Sequence, residues 1–273
     1  MSKFIRMSSP LLFLLAVAFL VMYPHATPTG ARDVDTPPLP EERPAVALAA
    51  APPPGANVDW SPVMAAIQAE LEWFPGRLSV VAEDLTTGER FVWGGEEQYH
   101  PASTMKVAVA LCVAQAVERG ELTWASPVAL TEADLDPEET TELDELPLGT
   151  PLTVQELVTS SLAYSSNVAT HMLIRTLTPD GLLDCTTRLG GPVTRAPGGS
   201  TPVTAESAAA WWKGLWNLRT TAPADAEVIL TALRGVTYTG RIAAGTPEPA
   251  QVTHKFGSVD DYFHDGAIVW AGR

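Results

Sequence analysis

The chain has 273 residues, 46% hydrophobic and 18% charged, enough for one large domain or two small ones. Its 32 acids against 17 bases give a formal net charge of −15. An excess of that sign repels phosphate backbones and excludes general nucleic-acid binding; solubility is the simpler use of it.

In chain order, Lys3 and Arg6 precede the apolar run Leu11 to Met22. A basic start before a core too short for a comfortable transmembrane helix predicts an export signal over residues 1–31, with "PTGA" offering small residues for cleavage. The alternative is an uncleaved anchor that tethers the protein to a membrane. Either way the expected location is outside the cytoplasm, secreted or periplasmic. Residues 32–57 are rich in proline and alanine and read as an extended linker. The folded domain is expected over 58–273.

"WSPVMAAIQAELEWF" predicts a helix with Ser61 as N-cap and Pro62 at the first helical position. "RLSVVAEDLTTGERFVWGG" predicts two strands around a Thr-Thr-Gly turn. An apolar helix follows from Ser103 to about Arg119. The acidic segment 121–150 reads as a solvated loop. "TVQELVTSSLAYSSNVATHMLIRTL" reads as helix, break, helix, with Thr153 and Glu156 as a capping box and the break at Ser165-Ser166-Asn167. A Gly/Pro-dense loop spans 189–203, Thr204 caps another helix, and "DAEVILTALRG" gives one more. "QVTHKFGS" and "FHDGAIVWAG" read as neighbouring strands. Strands at both ends with helices between predict an α+β fold, its sheet completed by both ends of the chain. The two cysteines, Cys112 and Cys185, are compatible with a disulfide or with buried free thiols.

Ser103 and Lys106, three residues apart, share one helix face, where a lysine kept partly neutral can take a proton from a serine nucleophile. Ser-x-x-Lys alone usually marks a cap and a snorkelling lysine. Here it has company: Ser165-Ser166-Asn167 on a turn and Lys255-Phe256-Gly257 on a late strand, in that order.

With these three motifs the chain resembles the class A β-lactamase and penicillin-binding superfamily of active-site serine hydrolases, whose set is Ser-x-x-Lys, Ser-Asp-Asn and Lys-Thr-Gly. "LTEADL", "HK-x-GS" and "HDGAIV" are also similar to that family. The resemblance implies a helical domain beside a five-stranded antiparallel sheet, with the site in the cleft between them. It implies Ser103 as nucleophile, Lys106 handling its proton and Ser165 relaying a proton to the leaving nitrogen. Asn167 would hold the substrate's amide side chain, Lys255 would supply charge near its carboxylate, and the N–H groups of Ser103 and Ser258, beside Gly257, would form an oxyanion hole. It implies no cofactor and no metal. His25, His100, His171, His254 and His264 show no ligand spacing, which argues against a zinc enzyme.

Four departures qualify the resemblance. Ser166 replaces the aspartate. Phe256 replaces the threonine, losing a hydrogen bond to a carboxylate of about 1.5–3 kcal/mol, for which Ser258 can stand in. The 189–203 loop has no acid where the family's β-lactamases carry a water-activating glutamate. The nearest, Glu206, falls in the next helix's first turn, where acids favour the dipole. The family continues past Gly272-Arg273 with a strand and a closing helix, so the last strand is expected to lie at an edge, its sheet face uncovered, in a truncated chain or one completed by a partner.

The sequence therefore predicts acylation by a small-molecule β-lactam or peptidoglycan-like substrate, with slow release. The alternatives are a peptidoglycan-related D-Ala peptidase or esterase, and a non-catalytic binding module on the same fold.

Overall fold

The computed structural model describes residues 13–22, 61–71, 76–136, 143, 145–196 and 199–271. The linker 32–57 and most of the segment expected to be an export signal lie outside them. In chain order the elements are β1 (Phe13–Met22), α1 (Ser61–Leu71), β2 (Arg77–Asp84), β3 (Arg90–Trp93), α2 (Lys106–Glu118), β4 (Pro127–Ala129), β5 (Pro151–Thr153), α3 (Val154–Ala163), α4 (Asn167–Leu177) and α5 (Pro179–Arg188). They continue with β6 (Arg195–Ala196), β7 (Gly199–Ser200), α6 (Ala205–Thr221), α7 (Pro223–Arg234), the single turn α8 (Ile242–Gly245), β8 (Gln251–Val259) and β9 (Tyr262–Ala271).

The local signals act where the sequence puts them. Thr153 and Glu156 close a reciprocal capping box at α3. Thr204 accepts from the Ser207 N–H at 3.1 Å and starts α6. Asp84 turns the chain between β2 and β3 by accepting from the Thr86 and Thr87 N–H groups at 2.8 and 3.1 Å. Helix α5 is an addition: Thr178 caps it, and Pro179 occupies its first turn.

The main sheet is antiparallel, in the order β3-β2-β1-β9-β8. Helix α2 is buried along almost its whole length within a cluster formed with α3, α4, α6 and α7 on one face of the sheet. On the other face a smaller cluster gathers Val80, Ala82, Phe91, Ala267 and Ile242, with Ile67 of α1 against it. Trp212 of α6 packs against β9 at Gly266, where an added Cβ would come within 2.1 Å of the indole nitrogen. Only glycine allows the helix that approach.

One expectation is corrected here, that of the last strand at an edge. Residues 13–22 are the middle strand, paired with β2 from Leu15↔Asp84 to Met22↔Arg77 and with β9 from Phe13↔Ala271 to Met22↔Tyr262. Accordingly β9 lies between β1 and β8 and is not an edge. Ten extended apolar residues supply a complete ladder of N–H and C=O groups to both neighbours, which a buried sheet requires.

Cys112 of α2 and Cys185 of α5 form a disulfide that ties the central helix to its neighbour.

Candidate active site

The turn that carries Ser103 is built before α2 begins. Ala102–Met105 form a 3-10 turn rather than the regular helix expected from Ser103. In a 3-10 turn positions i and i+3 eclipse, which brings Ser103 and Lys106 to one side by a shorter route than an α-helix. Ala102 has φ 46, a conformation rare for a residue with a side chain, and the turn is propped around it. The Ala102 N–H donates to His100 Nδ1 at 3.1 Å, and the Thr104 hydroxyl donates to the Pro101 carbonyl at 2.5 Å.

Lys106 is buried, and its ammonium donates to the Ser165 carbonyl, to Ser165 Oγ at 3.2 Å and to Asn167 Oδ1 at 2.8 Å. Lys255 on β8 is fully buried and donates to the same Ser165 Oγ at 3.1 Å, from a different element. Ser165 therefore lies between two lysines. It has φ 61, and Ser166 behind it caps α4 by accepting from the Ala169 N–H at 3.2 Å. The capping explains how a serine serves where the resembling family has aspartate: a hydroxyl is enough to end the break and start the helix.

Gly257 brings β8 against the turn that carries Ser103. A Cβ there would lie 2.8 Å from the Ser103 nitrogen and 2.9 Å from that of Thr104. The Ser258 side chain accepts from Arg241 at 2.6 Å, and the same guanidinium donates to the Gly257 carbonyl at 3.0 Å and the His264 carbonyl at 2.5 Å. Arg241 was not singled out in the sequence. It sits fourteen positions before Lys255 with φ 56, in a stretch without a motif, and only the fold carries it to Ser258. Its guanidinium lies 5.8 Å from the Phe256 ring, so a fixed cation borders the position where the threonine hydroxyl is absent.

The acidic segment 121–150 is not wholly solvated, contrary to expectation. Asp134 is buried, accepts from Thr131 and pairs with Arg175 at 2.8 Å. Burial would raise its carboxyl, but the Arg175 guanidinium and the Thr131 hydroxyl and N–H outweigh this and hold it below the ordinary range. Asp136 accepts from Asn167 Nδ2 at 2.8 Å. A line of hydrogen bonds thus runs from Asp136 through Asn167 to Lys106, giving a buried ammonium an anion one residue away. A charge run shows no inward-facing member in the sequence; Asp134 lies in the "LTEADL" stretch, but neither aspartate was expected to turn inward.

His264 is fully buried; its Nε2 donates to the His100 carbonyl at 2.7 Å, and burial pushes its pKa down to about 4. Its ring is neutral at pH 7. Glu206 does not join the site: it stands in the first turn of α6, as expected, and pairs with Arg90 of β3. Among the described residues no group of three or more metal-ligating side chains gathers.

The family model described as the beta-lactamase enzyme family matches residues 62–273. A beta-lactamase of Streptomyces cellulosae is 28% identical over 120 residues, 44% of this chain and 39% of that protein, so the chain spans well under half of that relative. Beta-lactamase Toho-2 of Escherichia coli is 29% identical over 209 residues, 71% of each chain. Among solved structures, a beta-lactamase from Sphaerobacter thermophilus superposes with a TM-score of 0.65 at 24% identity, covering 78% of this chain and 89% of that one. At that identity the likeness speaks for the fold.

Proposed function

The chain belongs to the beta-lactamase enzyme family, and from that premise we propose that it is an exported serine hydrolase of the class A type that opens β-lactams or related amides through an acyl-enzyme. The observation that carries the proposal is the convergence of two buried lysines, Lys106 and Lys255, on Ser165 Oγ at 3.2 and 3.1 Å. Two ammonium groups on one hydroxyl favour its ionised form and make it a route for a proton.

In this reading Ser103 Oγ attacks the carbonyl carbon as its proton passes to Lys106 in its neutral amine form. Negative charge collects on the carbonyl oxygen, facing the N–H groups of Ser103 and Ser258. The carbon–nitrogen bond then breaks, and Ser165 passes a proton to the leaving nitrogen. Asn167 holds the acylamino side. Lys255, Arg241 and Ser258 receive the carboxylate, so the cation of Arg241 offsets the hydroxyl lost at Phe256.

Release is expected to be slow. Residues 189–203 carry no acid, and Glu206 is held by Arg90 at β3. This same feature favours, as a second reading, a penicillin-binding peptidase or esterase of peptidoglycan-like substrates. Intact mass after mixing with penicillin G, beside Ser103→Ala, tests the proposal. A long-lived adduct on the wild type alone is the expected result. An adduct that clears as the drug is consumed means an efficient β-lactamase. No adduct leaves the binding-module alternative.

Export rests on Lys3, Arg6 and the run from Leu11 to Met22. Removal of residues 1–31 would also remove β1, so the two roles of this segment exclude one another in a single molecule. Amino-terminal sequencing of protein recovered outside the cell separates cleavage from a retained, tethering segment.

A further inference from the structure

His254 and Asp265 form a buried side-chain contact between β8 and β9 that the reaction above does not use. They project from the face of the sheet that carries Ala267 and Ile242, since His254 is opposite Ala267 and neighbouring residues of a strand alternate faces. His254 Nδ1 lies 3.1 Å from both Asp265 oxygens, and Nε2 lies 2.9 Å from the Tyr238 carbonyl. Each ring nitrogen thus faces an acceptor, the carboxylate on one side and the carbonyl on the other. Asp265 Oδ2 also accepts from the Ile242 N–H at 3.2 Å. The pair therefore grips the backbone at 238 and at 242, on both sides of Arg241.

Arg241 needs such a grip. Its φ of 56 and ψ of −121 are sparsely populated by residues with a side chain and persist only where the surroundings over-determine them. Tyr238 adds its ring at 5.4 Å from the guanidinium.

We propose that His254 and Asp265 are a positioning pair: they hold residues 238–242 so that the Arg241 guanidinium stands at Ser258 Oγ, and so set recognition of the substrate's carboxylate. The inference rests on the role given to Arg241 above.

The test uses the full chain and the variants His254→Gln and Asp265→Asn, each alone and combined with Arg241→Ala. Without substrate, amide hydrogen exchange over 238–242 and the Arg241 Nε–H resonance report the grip directly. With penicillin G and its methyl ester, intact mass reports acylation of Ser103. Each single variant is expected to exchange about tenfold faster over 238–242 and to shift the Arg241 resonance. Half-maximal acylation should need about tenfold more penicillin G, with the limiting rate nearly unchanged and the ester far less affected. On the Arg241→Ala background neither variant adds a further loss.

Equal losses on acid and ester, additive losses in the double variants, or an unmoved Arg241 resonance would each overturn the proposal. So would loss of cooperative melting in both single variants, which would make the pair a stability element. If the wild type is not acylated by either probe, the acyl-enzyme reading fails separately. The Arg241 resonance then decides alone: moved in both variants it upholds the grip, unmoved it ends it.

Discussion

Strand β1 and helix α2 are both nearly unbroken apolar runs, "FLLAVAFLVM" and "KVAVALCVAQAVE", and the fold uses them in opposite ways. Helix α2 is surrounded by other helices and delivers Lys106 to Ser165 at its first residue. Strand β1 carries none of the site residues and joins β2 to β9 through its backbone. An apolar run declares that a segment leaves water. It has no period to say whether it does so as helix, strand or export signal. What told the two apart in the sequence was their neighbours: a serine three residues before a lysine in one case, two basic residues near the chain start in the other.

That contrast can be broken most severely by deleting residues 1–31. The sheet then lacks its middle strand, and the expected outcome is loss of cooperative melting, read by circular dichroism beside the full chain. An unchanged melting curve would mean that β1 is not part of the fold in solution. The complementary test falls on α2: Cys112→Ser with Cys185→Ser opens a loop of 73 residues and should lower stability by about 4 kcal/mol in urea unfolding. A much smaller loss would mean that packing alone holds α2 against α5.

Acid should act next, through His264. Above pH 6.5 the ring is neutral in both states. Between pH 6.5 and about 4 the unfolded ring takes a proton and the folded one does not, so stability falls with pH, by about 3 kcal/mol over the whole window. Urea unfolding at pH 7 and 4.5 should show most of that fall, and His264→Gln should flatten it. The smallest effect expected is that of Gly257→Ala. Its methyl group would press on the Ser103 and Thr104 nitrogens and slow acylation by penicillin G about thirtyfold, with little change in melting temperature. Undiminished acylation would mean that β8 does not need its close approach to the nucleophile turn.

Much of this molecule was legible in advance where the signal is short and local. Thr153 with Glu156, and Thr204, start helices because a side chain three residues away satisfies a free N–H group. The three motifs were legible for a related reason: each is a few residues long and keeps its chemistry wherever the chain carries it. The contacts that complete the site were not. Asp136 meets Asn167 across 31 positions, Arg241 meets Ser258 across 17, and Cys112 meets Cys185 across 73. Nothing in Asp136 or Arg241 names its partner, and two cysteines in a sequence do not say whether they pair.

By itself, then, the sequence determined the family and the order of helices and late strands, and it nominated the serine, lysine and asparagine set. Only the tertiary structure decided that residues 13–22 lie between β2 and β9, that an arginine borders the place of the lost threonine, and that an aspartate from an acidic loop turns inward. Local hydrogen bonding and apolar spacing act over a few residues, whereas these arrangements are settled by which distant segments bury one another.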